Sequence, residues 1–381
     1  RSLYAAYKCL ENGLATGIYF AFPTQLTSDK MYERMHSFLN TILESDSPNQ
    51  RPLLLHSSAW LRDTSFGEDG APGKSWFDSS KRGILAPFAV GTVDQALMAA
   101  MNVKHGFVRT FGLAGKVVIL DEIHSYDMYT GTLLDELVKV LVEIQCTVVI
   151  LSATLTSQRR KDILAEDSSA AISAYPLISK KVIDQPLQEY IPVQDDRATV
   201  NVNIIIDDSL AIEEALVRAE CGQQVLWIEN TIGEAQAMFK RIGARAANCG
   251  VEYGLLHSRF IKKDRAAHEK KWVDLYGKGA GIHRKERGRI LIGTQILEQS
   301  LDIDADFLVT RLCPSDMLFQ RIGRLWRHRS NDALRSVRTS RETWVLTPSV
   351  AAAFSVNGAF GKTGVVYEPY LLCRSLEVWA D

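Results

Sequence analysis

Two carboxylates and a histidine, in Asp121-Glu122-Ile123-His124, follow directly on four apolar residues, Val117–Leu120. A buried strand that ends in Asp-Glu delivers acid groups to the carboxyl edge of a sheet, where α/β proteins bind their ligands. At such an edge Asp121 can hold a magnesium ion, and Glu122 can orient a water for attack on a phosphate. The competing reading is a strand end capped by solvated acids. The four apolar residues in front make that the weaker one.

A second set lies between residues 294 and 327. Thr294-Gln295, Glu298, Ser300 and Asp302 precede Gln320-Arg321-Ile322-Gly323-Arg324-Leu325-Trp326-Arg327. Read as one helix, the latter run places Gln320, Arg324 and Arg327 at i, i+4 and i+7, on a common face. Paired guanidiniums match the equatorial oxygens of a γ-phosphate. An arginine that completes a phosphoryl-transfer site contributes about 10³–10⁵ in rate. A salt-bridged structural helix is the duller alternative. Ser152-Ala153-Thr154 ends the apolar run Thr147–Leu151, and its hydroxyls either cap the next helix or link nucleotide state to a neighbouring domain. Pro23-Thr24-Gln25, Gly91-Thr92-Val93-Asp94-Gln95 and His257-Ser258-Arg259 are further polar strand ends. Such ends grip phosphates without reading sequence, or serve only as turns and caps. Gly73-Lys74-Ser75 and Gly361-Lys362-Thr363 imitate a phosphate-binding loop, but Glu68 and Val356 stand where its first glycine belongs, so both read as ordinary loops.

These groups need sheet edges to stand on, and the periodicity supplies alternating strands and helices, hence parallel sheets. It predicts strands at Gly17–Phe22, Ile84–Val90, Val117–Leu120, Cys146–Leu151, Gln224–Ile228, Val251–Leu256, Arg289–Gly293, Phe307–Arg311 and Thr343–Leu346. Helices are predicted over Ser28–Glu44, with Ser28 as N-cap, over Gly131–Ile144 and Gly233–Ala246, and from Met317 onward. Residues 46–83 read as a surface insertion, and about 165 to 200 as a connector with one or two edge strands. The expectation is therefore an α/β chain of two domains, 1–190 and 191–381.

The length, 381 residues with 46% apolar content, suits two closed cores. The net charge of −1 does not by itself advertise a nucleic-acid partner. Between Arg259 and Arg289, however, eleven Lys/Arg face four acids, a segment that tracks phosphates or merely forms a solvated helix face. The six cysteines form no CxxC pair, which argues against a zinc site or a disulfide framework and for a cytoplasmic location. No apolar span is long enough for a membrane, and no signal peptide is visible. Arg1 opens directly into Ser2–Leu10, which reads as part of a helix, so a fragment that begins inside a domain is expected.

With these residues in view, the chain resembles a superfamily 2 helicase of the DExH kind, and more narrowly the CRISPR-associated helicase–nuclease of type I systems. Phe22-Pro23-Thr24-Gln25, Asp121–Asp127, Leu151-Ser152-Ala153-Thr154-Leu155, Gly293–Asp304 and Gln320–His328 carry the resemblance, which extends from about residue 3 to 376. It implies two tandem RecA-like domains, each a mainly parallel sheet flanked by helices, with a cleft between them that binds ATP and Mg2+. By the same resemblance Asp121 ligates magnesium, Glu122 activates water, and His124 couples the ATP site to Gln320 and the Ser152–Thr154 turn. Arg324 and Arg327 are the arginine fingers, and Asp302, Arg321 and Gly323 lie beside the nucleotide. Thr24, Gln25, Thr92, His257, Ser258, Thr294 and Gln295 lie near a single strand of DNA. The implied partners are an RNA-guided surveillance complex and a nuclease domain upstream or on a separate chain, with no membrane. Three departures stand out. The Walker A loop is absent and is expected just before Arg1. No His-Asp pair of a nuclease centre occurs. Position 326 holds Trp where His is expected, and packing is favoured over stacking on a base. Two alternatives stay open: a general DExH RNA helicase, and a strand-binding fragment without catalysis.

Overall fold

A computed structural model describes residues 2–45, 47, 49–55, 83–101, 103, 106–123, 128–165, 174–192, 198–299, 301–336 and 339–380. His124, Ser300 and Gly73-Lys74-Ser75 lie outside the described residues. Two compact units emerge, Arg1–Gln194 and Asp195–Asp381.

The first unit is built on five strands: β1 (Ile18–Phe22), β2 (Leu53–Leu55), β3 (Phe88–Thr92), β4 (Val117–Asp121) and β5 (Thr147–Leu151). They run parallel in the order β2-β3-β1-β4-β5. The central strands are apolar throughout because both of their faces are covered. Alternate residues of one strand feed two different cores. Tyr19 and Ala21 of β1, with Val118 and Leu120 of β4, pack on one side. Ile18, Phe20 and Phe22, with Val117 and Ile119, pack on the other. A separate antiparallel pair, β6 (Ile178–Lys180) and β7 (Gln188–Tyr190), lies before the second unit.

The second unit contains β8 (Asn201–Ile205), β9 (Gln224–Ile228), β10 (Glu252–Leu256), β11 (Arg289–Gly293), β12 (Phe307–Arg311) and β13 (Glu342–Leu346). Their order is β10-β11-β9-β12-β13-β8, again all parallel. Val225 and Trp227 of β9 enter one core, and Leu226 and Ile228 enter the other. Parallel sheets flanked by helices are therefore what both units contain.

Several expectations are corrected. The helix predicted from Ser28 runs over Gln25–Ile42 and is capped by Thr24, whose hydroxyl accepts the Thr27 N–H. Ser28 is instead buried, donating its hydroxyl to the carbonyls of Thr24 and Gly91, both at 3.0 Å. The predicted strand Ile84–Val90 is divided. Gly83–Leu85 forms a 3-10 turn and only Phe88–Thr92 joins the sheet. Proline at 87 has no N–H for a ladder, and the buried Lys116 ammonium donates to the carbonyls of Ile84 at 2.8 Å and Ala86 at 2.5 Å, which fixes the turn. Burial lowers the Lys116 pKa to about 8. The supposed insertion contributes β2, and the expected edge strands of the connector pair with each other instead of joining a large sheet. β8 follows the expected connector and is not among the predicted strands. It sits at an edge, paired with β13 alone.

One glycine tests the second core directly. A Cβ on Gly254 of β10 would stand 1.9 Å from Cζ2 of the buried Trp272. Gly254→Ala should lower stability by about 3 kcal/mol, seen as a lower urea midpoint. An unchanged midpoint would mean that Trp272 does not pack against β10.

Candidate functional site

In the first unit the polar groups gather where the parallel strands end. Register places Phe22 opposite Thr92 and Asp121 opposite Leu151. The ends of β1, β3, β4 and β5 thus present Thr24, Thr92, Asp121-Glu122 and Ser152 along one edge. Thr24 caps the following helix with its side chain. Thr92 is buried and stands at the N-cap of Val93–Leu97 without a side-chain cap bond. Gln25 opens its helix. Beyond Ser152, the buried hydroxyl of Thr154 has no hydrogen-bond partner among the described residues.

The acid pair has an unusual backbone. Glu122 adopts φ 56°, a left-handed conformation that costs a non-glycine residue about 1–2 kcal/mol. The sharp turn it makes lets its own N–H donate to Asp121 Oδ1 at 3.1 Å. Burial raises the Asp121 carboxyl from its ordinary 3.8 to about 6. The neighbouring Glu122 charge pushes the same way, and the Glu122 N–H opposes both. A partly buried carboxylate beside a second one fits a divalent cation, which relieves both the desolvation and the repulsion. Among the described residues no group of three His, Cys, Asp or Glu could hold a metal. Asp121 would therefore share magnesium with phosphate oxygens and water, as that ion prefers.

In the second unit, β10 ends at His257-Ser258 and β11 at Thr294-Gln295, with Leu256 opposite Gly293. His257 is buried and stacks on Phe260 at 4.4 Å, and burial lowers its pKa. Ser258 is exposed, whereas Thr294 is buried. Gln295 differs from expectation. Its amide nitrogen donates to Asn230 O at 3.0 Å and to the Tyr367 hydroxyl at 3.3 Å, so that donor is directed into its own unit and not toward a strand.

The arginine run is where expectation and structure part most clearly. The helix spans only Ser315–Ile322, Gly323 stands exposed at its C-cap, and residues 324–327 leave it. Gln320 lies on the helix, but Arg324 and Arg327 do not share a helical face with it. The chain is drawn off because Leu325 bridges to Ala305: the Ala305 N–H donates to Arg324 O at 2.9 Å, and the Trp326 N–H to Ala305 O at 3.0 Å.

Arg321 is fully buried and cannot touch a nucleotide. Its guanidinium donates to Glu298 Oε2 at 2.6 Å, Thr310 Oγ1 at 2.7 Å, Arg311 O at 3.0 Å and Asn230 Oδ1 at 2.9 Å. It is a structural cation whose partner, Glu298, is equally buried. Arg324 donates to the carbonyls of Leu301 and Glu298. Arg327 is the more exposed of the two, with Nε 3.0 Å from Asp302 Oδ1, and His328 Nε2 lies 3.1 Å from the same oxygen. Trp326 packs within the second unit, its φ of 51° marking a second strained residue.

Part of the basic segment is taken up by internal pairing, with Arg284 and Arg289 buried. Arg284 pairs with Asp306 at 2.6 Å, Arg289 with Glu252 at 2.8 Å, Lys271 with Glu252 at 2.8 Å and Arg265 with Glu269 at 2.7 Å. These four cations do not form a stripe for phosphates. Sequence reasoning passed over Glu229-Asn230, a polar strand end after β9 that repeats the signal seen elsewhere. Glu229 accepts from Trp227 Nε1 at 2.8 Å and from Arg311 at 3.0 Å, while Asn230 Nδ2 donates to Leu312 O at 2.7 Å.

Comparison with known proteins accords with this geometry. The family described as CRISPR-associated nuclease/helicase Cas3, C-terminal, matches residues 221–330. The chain is 31% identical over 355 residues to the CRISPR-associated endonuclease/helicase Cas3 of Escherichia coli, covering 86% of this chain and 39% of the relative. It thus spans about two-fifths of that relative's length. A crystal structure of T. fusca Cas3-AMPPNP superposes with a TM-score of 0.82 at 30% identity, over 96% of this chain and 44% of that one. A chain in a CRISPR RNA-guided surveillance complex, pre-nicking, gives 0.70 at 28% identity, over 100% of this chain and 47% of that one. No helix among the described residues is long and apolar enough to cross a membrane.

Two predictions follow from the charges. Arg321→Ala strands Glu298 in the core and should cost about 3–5 kcal/mol in urea unfolding, whereas the exposed Arg327→Ala should cost under about 1 kcal/mol. Equal losses would remove the distinction. For Asp121, the folded chain favours the protonated carboxyl, so its penalty is absent below pH 3.8, grows as pH rises from there and is complete above about 6. Without metal, Asp121→Asn should stabilise by about 1–3 kcal/mol at pH 8 and add little at pH 3.5. A gain of the same size at both values, from urea titrations with EDTA, would exclude a charge origin.

Proposed function

Since the chain belongs to the type I CRISPR-associated helicase–nuclease (Cas3) family, as its helicase core, we propose that it is the ATP-driven single-stranded-DNA motor of such a protein. The observation that carries this reading is the Asp121-Glu122 pair at a sheet edge, with Glu122 held in a strained turn and Asp121 in a site that favours a cation. ATP is the substrate. Magnesium, when bound, would offset the negative charge of the phosphate oxygens.

Asp121 would hold that ion. Glu122 orients a water and accepts its proton as the water oxygen bonds to the γ-phosphorus. The bond from that phosphorus to the β–γ bridging oxygen breaks, releasing ADP and phosphate. Arg327, more exposed and paired through its Nε with Asp302, supplies positive charge to the transferring group, with Arg324 near it in sequence. His124 and Gln320 link that chemistry to the Ser152–Thr154 turn. The hydroxyls of Thr24, Thr92, Ser258 and Thr294, together with His257, lie along the strand-end edges that hold the DNA backbone. The turnover cycle alternates each unit's grip on that backbone and so moves the strand.

The likeness to a chain in a surveillance complex supports an RNA-guided complex as the partner that delivers DNA. A nuclease domain, upstream or on a separate chain, then degrades the unwound strand, which serves antiviral defence. Glu122→Gln in the intact protein should lower DNA-stimulated ATP hydrolysis by about 10²–10⁴-fold, with the affinity for a fluorescent ATP analogue retained. Full DNA-stimulated turnover by that variant would defeat the assignment, and stimulation by RNA alone would redirect it to an RNA helicase.

A further inference from the structure

Trp326 occupies a left-handed backbone position that an indole does not favour, so something must hold it there. Two guanidiniums lie over its ring, with the Arg335 carbon 4.5 Å and the Arg341 carbon 5.1 Å from the ring centre. Its Nε1–H donates to Asp306 O at 3.2 Å.

Arg335 is itself anchored below the ring. Its side chain is 2% exposed and contacts Asp306 Oδ1 at 2.5 Å, both oxygens of Asp304 at 3.0 Å and Asp332 Oδ1 at 3.0 Å. Asp304, wholly buried, accepts the backbone N–H of Arg327 at 2.8 Å and the side-chain amide of Asn331 at 2.7 Å. Arg284 closes the cluster from the other side through Asp306. A buried group of carboxylates and guanidiniums thus grips the chain at Trp326 and again at the Arg327 backbone. Nothing in this cluster reaches the exposed guanidinium of Arg327, yet the cluster fixes the backbone from which that side chain projects.

We infer that Trp326, Arg335 and Asp304 are positioning residues for Arg327: they set the direction in which its guanidinium is presented to the transferring phosphoryl group. The contact also gives a physical role to tryptophan at this position, since its ring attracts both guanidiniums. The inference rests on the reading of Arg327 as a catalytic cation.

The test is steady-state ATP hydrolysis with DNA by the intact protein and its variants, with folding checked by thermal melts. Trp326→Gly keeps the backbone conformation accessible but deletes the ring, and Arg335→Lys keeps a charge that can neither stack flat nor reproduce the planar guanidinium fork. Each should lower kcat by about 10- to 100-fold, with KM for ATP little changed. Trp326→Phe should recover most of the loss. In the double variant Trp326→Gly/Arg327→Ala, kcat should fall no further than in Arg327→Ala alone. A kcat near the parent value in folded Trp326→Gly or Arg335→Lys, or full additivity with Arg327→Ala, would overturn the positioning role. If Trp326→Gly does not fold, Arg335→Lys decides alone. An Arg327→Ala variant with undiminished turnover would overturn the reading beneath it instead, and the inference with it.

Discussion

A strand covered on both faces can carry polar side chains only at its ends. That constraint shapes both units. β1, β4, β9 and β11 are apolar through their centres, and each gives way to polar residues where it leaves the sheet. The parallel arrangement then does the rest. Because all strands of a sheet point one way, their carboxyl ends share an edge, and residues far apart in sequence become neighbours there. Thr92 and Asp121 belong to strands on either side of β1. Thr294 and His257 follow adjacent strands of the second sheet.

Charges that do enter the interior are matched. Arg321 and Glu298 form a buried pair, with Thr310 and Asn230 taking the remaining donors. Such a pair is costly to break and of little use as a ligand site. Its value is geometric. Glu298 holds Arg321 by its carboxylate and Arg324 by its carbonyl, so the helix end and the segment after β11 are tied together. The neighbouring arginines of one short run therefore separate into the internal Arg321, the carbonyl-bound Arg324 and the more exposed Arg327.

Strain marks the same places. Glu122 and Trp326 both adopt positive φ without being glycine. One carries a candidate catalytic carboxylate and the other precedes an exposed arginine. Each is over-determined by its surroundings: Glu122 through the hydrogen bond to Asp121, and Trp326 through two guanidiniums and a carbonyl. A strained conformation persists only where the surroundings outweigh its cost.

Much of this was legible in the order of residues. Apolar runs of strand length located β1, β4, β5, β9, β11 and β12, and their polar ends located the edge, because burial on two faces leaves a local signature. The strongest element boundaries missed were those set by distant partners. Leu53–Leu55 is a strand only because β3 lies beside it, and Asn201–Ile205 only because β13 does. The helix through Gln320 stops at Ile322 because Ala305, remote in sequence, pairs with Leu325, and no local periodicity reports that. By itself the sequence determined which residue types stand at the sheet edges and the resemblance they support. The tertiary structure alone decided that Arg321 faces inward and Arg327 outward, and that Arg265, Lys271, Arg284 and Arg289 of the 259–289 segment meet carboxylates, because whether a charge meets a carboxylate or water depends on long-range contacts.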